Sequence, residues 1–222
     1  VNSPVGGITS SGGQYTVYLA DGGSEDFDAV IVAAPAWAQA RILHSISPAI
    51  SGLLQEIEYP PLSVVCLGYR EQDTADCMDG FGFLVPSREQ RYILGTVADS
   101  NVFPGRAPEG CVLYRTMVGG ARHPHLAEFP DEQLLDRVRS DLGDIMGLKA
   151  DPEFVKIYRH ERAIPQYLVG HTDRLEAIEN HLREFPGLIL TGNAFRGVSL
   201  NDCVLNAEKT AEKMVATAAV TG

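Results

Sequence analysis

The residues predict a mixed α/β and α+β fold, a layered α/β part joined to an antiparallel sheet with helices, on three observations. Near-continuous apolar runs lie towards both ends, at Ala29–Ala34 and Gly187–Gly192, and suit strands buried on both faces. Runs separated by Gly, Pro and polar residues fill the middle, which is the texture of an antiparallel sheet. Helical periodicities stand between them, and no internal repeat or low-complexity tract interrupts the 222 residues.

The opening reads as a small β-meander. Val5–Ile8, Tyr15–Ala20 and Phe27–Ala33 are separated by Ser10-Ser11-Gly12-Gly13 and Asp21-Gly22-Gly23, turn sequences in which Gly accepts positive φ and Ser or Asp bonds its own backbone. The last of the three enters the layered core. A helix then runs from Pro35 through Trp37, Ile42 and Leu43. A second starts at Ser47-Pro48, with Ser as cap, Pro in the first turn and Ile50, Leu53, Leu54 and Ile57 as its apolar stripe. Tyr59-Pro60-Pro61 ends it and marks the crossing into a second domain.

Ser63–Tyr69, Phe81–Val85, Tyr92–Val97 and Cys111–Val118 read as strands of that domain's sheet. Phe129-Pro130-Asp131-Glu132 opens a helix with acidic residues at its positive dipole end, and Leu134, Leu135, Val138, Leu142 and Ile145 share one face before Gly147 stops it. After a strand at Phe154–Tyr158, Asp173-x-x-Glu176 reads as a capping box for a helix carrying Leu175, Ile178 and Leu182. Gly187–Gly192 is the last buried strand. A helix of roughly fifteen residues follows from near Asn201, with Val204, Leu205, Ala211, Met214 and Val215 as its apolar positions. Residues 1–60 and 161–222 therefore form one domain, which the chain leaves and re-enters, and residues 61–160 the other.

Composition excludes several functions. Lys plus Arg 18 against Asp plus Glu 29 leaves a net charge of −11, a field that repels nucleic-acid phosphates and anionic lipid headgroups. Cys66, Cys77, Cys111 and Cys203 form no C-x-x-C pair, so neither a zinc site nor a dithiol redox motif is written. Reduced thiols in the cytoplasm are the expectation. The longest apolar run, Ala29–Ala38, is broken by Pro35 and is far shorter than the roughly 20 residues of a membrane span. His123-Pro124-His125 lacks a third ligand at metal spacing and reads as a surface turn, and no metal site is expected. His160-Glu161 supplies no required acid or base, and His171 is expected to cap or orient the helix after it. Ser63, Ser87 and Ser199 lack a G-x-S-x-G setting.

Chemistry concentrates after the last buried strand, in Gly192-Asn193-Ala194-Phe195-Arg196-Gly197-Val198-Ser199-Leu200-Asn201-Asp202-Cys203. A strand ending in Gly, a loop of small residues and a helix start place free N–H groups and a positive dipole end together, which suits an anion or an electron-rich ligand edge. The same pattern also fits a plain strand-to-helix turn capped by Ser199 or Asn201.

That segment resembles the C-terminal flavin-contacting signature of the oxygen-dependent protoporphyrinogen oxidases, FAD enzymes of late haem synthesis with the monoamine-oxidase fold. Further matches occur in the family's order: Val32-Ala33-Ala34-Pro35-Ala36, Gly80 to Pro86, Leu94-Gly95-Thr96, Phe103 to Pro108, Val118-Gly119-Gly120, and Ala163-Ile164-Pro165-Gln166-Tyr167 with Gly170-His171. The resemblance implies that 1–60 and 161–222 belong to an FAD-binding domain and 61–160 to a substrate domain. It also implies a porphyrinogen substrate. None of the 22 glycines forms G-x-G-x-x-G after a strand. The resemblance covers the C-terminal half of the family, which implies a dinucleotide-binding half upstream as partner and weak retention of FAD by this chain alone.

Carried over by resemblance, Val5 lies in the strand that contacts the adenine end of FAD through its backbone. Asn193, Val198, Ser199 and Leu200 match positions near the isoalloxazine and ribityl end. Leu84, Val97 and Met117 match positions lining the macrocycle pocket. Met117 stands where Phe is frequent, so the wall there is softer. Arg115 and Arg122 are candidates to face the propionates. No protein nucleophile is required, because the cofactor carries the redox chemistry. Two alternatives remain open: another oxidase or desaturase of the same fold, and a non-catalytic tetrapyrrole-binding relic. Membrane association, protoporphyrinogen against coproporphyrinogen, and oligomeric state are not written in these residues.

Overall fold

The computed structural model describes residues 2–74 and 77–221. It resolves into two units, one of Val1–Glu58 with Pro165–Gly222 and one of Tyr59–Ile164.

In the first unit, β1 (Val5–Ser11), β2 (Gln14–Leu19) and β3 (Ser24–Phe27) form an antiparallel meander. The expected third strand, Phe27–Ala33, is in fact two. The chain bends at Asp28 and Ala29, and β4 (Val30–Val32) leaves the meander to pair in parallel with β10 (Leu188–Leu190), Val30 opposite Leu188 and Val32 opposite Leu190. Nor is that run buried on both faces, since Ile31 is 44% exposed whereas Val32 is buried. Tyr15, 1% exposed, anchors the meander by donating its hydroxyl to the Pro186 carbonyl at 2.8 Å, ahead of β10.

Helix α1 (Ala36–Leu43) follows Pro35, and α2 (Pro48–Gln55) starts where Ser47 Oγ accepts from the Ile50 N–H at 3.3 Å. Ile50 and Leu54 are fully buried. Helix α5 (His171–Leu182) starts three residues earlier than the Asp173 capping box requires: Gly170 is its N-cap and no side chain caps it. Asp173 sits inside the first turn, where its charge still meets the positive helix end. His171 is the first helical residue, 7% exposed, its ring stacked on Tyr167 at 4.2 Å.

The last helix, α6 (Leu200–Thr221), corrects the expected stripe. Cys203, Asn206, Thr210 and Met214 are half-buried, at helical spacing, while Leu200, Val204, Leu205 and Val215 are exposed.

The second unit is built on a five-stranded antiparallel sheet of order β6-β7-β8-β5-β9, with β5 (Leu62–Arg70), β6 (Gly82–Leu84), β7 (Ile93–Ala98), β8 (Cys111–Gly119) and β9 (Phe154–His160). A short helix, α3 (Asp99–Val102), follows β7, and α4 (Asp131–Met146) ends at Gly147 in the left-handed region. Alternate residues of the strands point to opposite faces. One face carries Val65, Leu67, Tyr69, Tyr114 and Val118, and it forms the core with Leu134, Val138 and Leu142 of α4. Buried Asp141 of α4 accepts from the Tyr92 and Ile93 N–H groups at 2.7 and 3.1 Å, tying the helix to the start of β7. The opposite face is free of this core.

Candidate functional site

Two surfaces carry the residues singled out in the sequence, one in each unit.

In the first unit the loop between β10 and α6 is held from several sides. Gln39, fully buried in α1, donates its amide to the Ala34 carbonyl at 2.6 Å and to the Thr191 carbonyl at 2.9 Å. Those carbonyls follow the C-terminal ends of β4 and β10, so one side chain clips the two parallel strands where the loop departs. Gly192 has φ 125°, and a Cβ there would lie 3.6 Å from the Ala33 and Ala34 carbonyl oxygens. Those are ordinary van der Waals distances, so it is the positive φ that favours glycine here. Asn193 offers its carbonyl to the Tyr167 hydroxyl at 2.6 Å.

At the far end of the loop, Ser199 is the cap that the sequence left undecided between Ser199 and Asn201. Its Oγ accepts from the Asp202 N–H at 3.1 Å and donates to Asp202 Oδ2 at 2.6 Å. The first-turn N–H groups of Leu200 and Asn201 have no intrahelical acceptor by the geometry of a helix start. Val198 and Leu200 are 48% and 81% exposed, so apolar surface flanks that donor-rich helix start. Arg196 is bound to Glu179 at 2.6 Å, and Asn206 donates to the Arg196 carbonyl. Val5 lies apart from this loop, at the start of β1 opposite Leu19.

In the second unit Leu84, Val97 and Met117 all lie on the sheet face that the core does not use. Residues directly paired across strands share a face. Leu84 pairs with Gly95, Gly95 with Met117, Met117 with Val64 and Val64 with Tyr158, a straight row across all five strands about 19 Å long at about 4.8 Å per strand. Gly82, Val97, Arg115, Cys66 and Lys156 form the next row. Leu84 is 81% exposed and Tyr158 50%. Gly95 keeps the first row low between Leu84 and Met117, and it is required there: a Cβ would fall 2.4 Å from the Phe83 carbonyl oxygen.

The polar groups of this face lie together in the second row, at Arg115, Cys66 and Lys156. Arg115 is paired with Asp99 at 2.9 Å. Burial pushes the Cys66 thiol up, with the Arg115 guanidinium opposing it and the Asp99 carboxylate adding to it. Lys156 lies 5.8 Å from the Tyr158 ring centre. Arg122 instead donates to the Val85 carbonyl at 2.9 Å, a structural strap. His123 and His125 make an edge-to-face ring contact at 6.1 Å, and no group of three or more metal-ligating side chains occurs among the described residues.

Sequence reasoning missed Gln39 and Tyr167. Gln39 shows only as a polar residue among apolar ones in a helix, which signals burial with a partner but not which carbonyls it meets. Tyr167 stood inside a matched motif with no role attached.

The model of the family described as flavin-containing amine oxidoreductases matches residues 1–215. The chain belongs to that family. It is 34% identical over 196 residues to mitochondrial protoporphyrinogen oxidase of Nicotiana tabacum, covering 86% of this chain and 39% of that protein. It is 31% identical over 223 aligned positions to coproporphyrinogen III oxidase of Staphylococcus aureus, covering 97% of this chain and 46% of that protein. Among solved structures, a candidate protoporphyrinogen oxidase from Exiguobacterium superposes with TM-score 0.81 at 29% identity, over 96% of this chain and 46% of that one. A putrescine oxidase variant superposes at 0.73 with 14% identity, which shows the fold alone. The chain thus spans less than half the length of these relatives, and a flavin is the family's cofactor.

The residues present fit one end of such a group. The loop after β10 offers backbone donors beside the turn after β4, and α/β sheets receive ligands outside the carboxyl ends of their parallel strands. The glycine-rich phosphate turn of a dinucleotide site is not among these residues. No helix among the described residues is long and apolar enough to cross a membrane.

Proposed function

We propose that this chain supplies the flavin loop and the macrocycle-binding face of an FAD-dependent porphyrinogen oxidase of haem biosynthesis. The observation that carries the reading is the apolar row Leu84, Gly95, Met117, Val64 and Tyr158 on the sheet face away from the core, exposed at its Leu84 and Tyr158 ends and half-buried at Met117 and Val64. Large apolar ligands are held mainly by apolar walls with few polar anchors. A porphyrinogen has apolar faces and peripheral carboxylates, and the named relatives in tobacco and Staphylococcus carry that substrate in their names.

In this reading Leu84, Val97 and Met117 bind the macrocycle by contact, Gly95 keeps the surface flat between them, and Arg115 stands beside Val97 as the cation nearest a propionate. Asn193 and the Val198–Leu200 backbone hold the isoalloxazine and ribityl end of FAD, and the backbone at Val5 its adenine end. When bound, FAD supplies a hydride acceptor that oxygen restores, with release of hydrogen peroxide. The protein positions the substrate and excludes water, and none of its side chains forms a bond to it. The G-x-G-x-x-G unit belongs to a dinucleotide-binding half that completes the site. The reading places the chain in a reducing, cytoplasmic setting, with a peripheral membrane position as its variant.

The test is growth of porphyrin fluorescence in air from the complete product of the gene, with FAD, against an enzyme-free blank. Growth above the blank is expected, and the faster of protoporphyrinogen and coproporphyrinogen names the substrate. Flavin bound without growth on either would end the porphyrinogen reading and leave the family's other oxidase chemistry.

A further inference from the structure

We propose that Gln39 is a positioning residue for the flavin loop: its amide, held between the Ala34 and Thr191 carbonyls, fixes the peptide plane that presents the Gly192 N–H. The inference rests on the flavin reading of the loop above. It adds a residue from a different element, far away in the sequence.

The geometry leads there in steps. Two carbonyl oxygens, at 2.6 and 2.9 Å, can be met only by the donor end of the side-chain amide, so its orientation is fixed. In a trans peptide the C=O and the next N–H point in opposite directions. Turning the Thr191 carbonyl inward to Gln39 therefore turns the Gly192 N–H away from α1. Tyr167 does the same at the next peptide but one, because its hold on the Asn193 carbonyl orients the Ala194 N–H.

The loop's donors are otherwise unused. The N–H groups of Gly192, Asn193 and Ala194 meet no acceptor among the described residues. Ala194 is buried while Gly192 and Asn193 are part exposed, and unpaired buried N–H groups are rare in native proteins. Successive N–H groups of this kind form a concave site for an electron-rich ligand atom. Gln39 itself leaves its carbonyl oxygen, Oε1, buried without a partner. Leucine would carry no such orphan atom, so packing alone does not explain the amide.

The test compares amide resonances of the isotopically labelled chain with those of Gln39→Met, which keeps the length and apolar bulk but has no donor. Beyond the α1 residues flanking the substitution, displacement at Ala33, Ala34 and Thr191–Ala194 is expected, with Ile8 and Tyr15 unmoved as the sign of a folded unit. In the complete gene product the same substitution is expected to raise the FAD dissociation constant about tenfold, the equivalent of about 1.4 kcal/mol. Unmoved Gly192 and Ala194 resonances would overturn the proposal, and so would moved resonances with unchanged FAD affinity. Should Gln39→Met lose the Ile8 and Tyr15 resonances, Gln39→Leu, which also lacks the donor and adds no charge, is compared in its place. A wild-type product that binds no FAD would overturn the flavin reading itself, and the resonances would still decide whether Gln39 orients the loop.

Discussion

Replacing Leu84 with alanine separates a ligand-facing surface from a core. The side chain is 81% exposed, so truncating it removes little buried area and is expected to leave the melting temperature within about 1 °C of wild type. If the macrocycle covers it, three carbons at about 0.8 kcal/mol each, discounted for the fraction already covered, give about 2 kcal/mol. That is a rise of about thirtyfold in the Michaelis constant with the maximal rate little changed. Val65 lies in the same sheet on the opposite face and is fully buried. Val65→Ala is expected to cost about 2–3 kcal/mol of stability through lost transfer energy and a cavity, with substrate affinity unchanged. Initial rates of porphyrin fluorescence against substrate concentration, paired with thermal melts, check both. A Leu84→Ala protein with an unchanged Michaelis constant, or one melting several degrees lower, would refute the assignment of this face to the substrate.

Three further outcomes are expected. Asp141→Ala strands one buried and one part-buried N–H donor at the start of β7 and should cost about 3 kcal/mol in urea unfolding, while Asp141→Asn, which keeps an acceptor, should cost less than half of that. Ser47→Ala removes the cap of α2 and should lower stability by about 1 kcal/mol in the same assay. Tyr69 is buried and its hydroxyl is pushed up to about 12 from 10.0, chiefly by burial. The folded state thus favours the neutral phenol, and its contribution is full below pH 10 and lost as pH rises towards 12, by on the order of 2 to 3 kcal/mol. The urea midpoint of wild type should fall across that window, and that of Tyr69→Phe should fall less.

Helix α4 was readable from its residues alone because every signal for it is local: acidic residues at the start, an apolar stripe, and a glycine at the end. The Ser47 cap was readable for the same reason. Phe27–Ala33 was not, because a continuous apolar run carries no mark of where pairing changes partner, and β4 takes its partner from the other end of the chain. Asp173 and Glu176 matched a capping box, yet the turn at Gly170 set the helix start earlier. On α6 the residue types pointed to a stripe of which only Met214 turns inward, with Cys203, Asn206 and Thr210, and Thr210 meets Thr191 there.

The site divides in the same way. The order of residue types from Gly192 to Asp202 determined that a strand gives way to a donor-rich loop and a helix, and alternation along the strands determined that Leu84, Val97 and Met117 belong to a sheet. Only the tertiary structure decided that those three share one face, because register across strands is a relation between distant segments. It alone decided that Gln39 holds Thr191, since a hydrogen bond between residues 152 positions apart leaves no trace in local pattern. Local free energies are written residue by residue along the chain, and the choice among distant partners is made only when the whole chain packs.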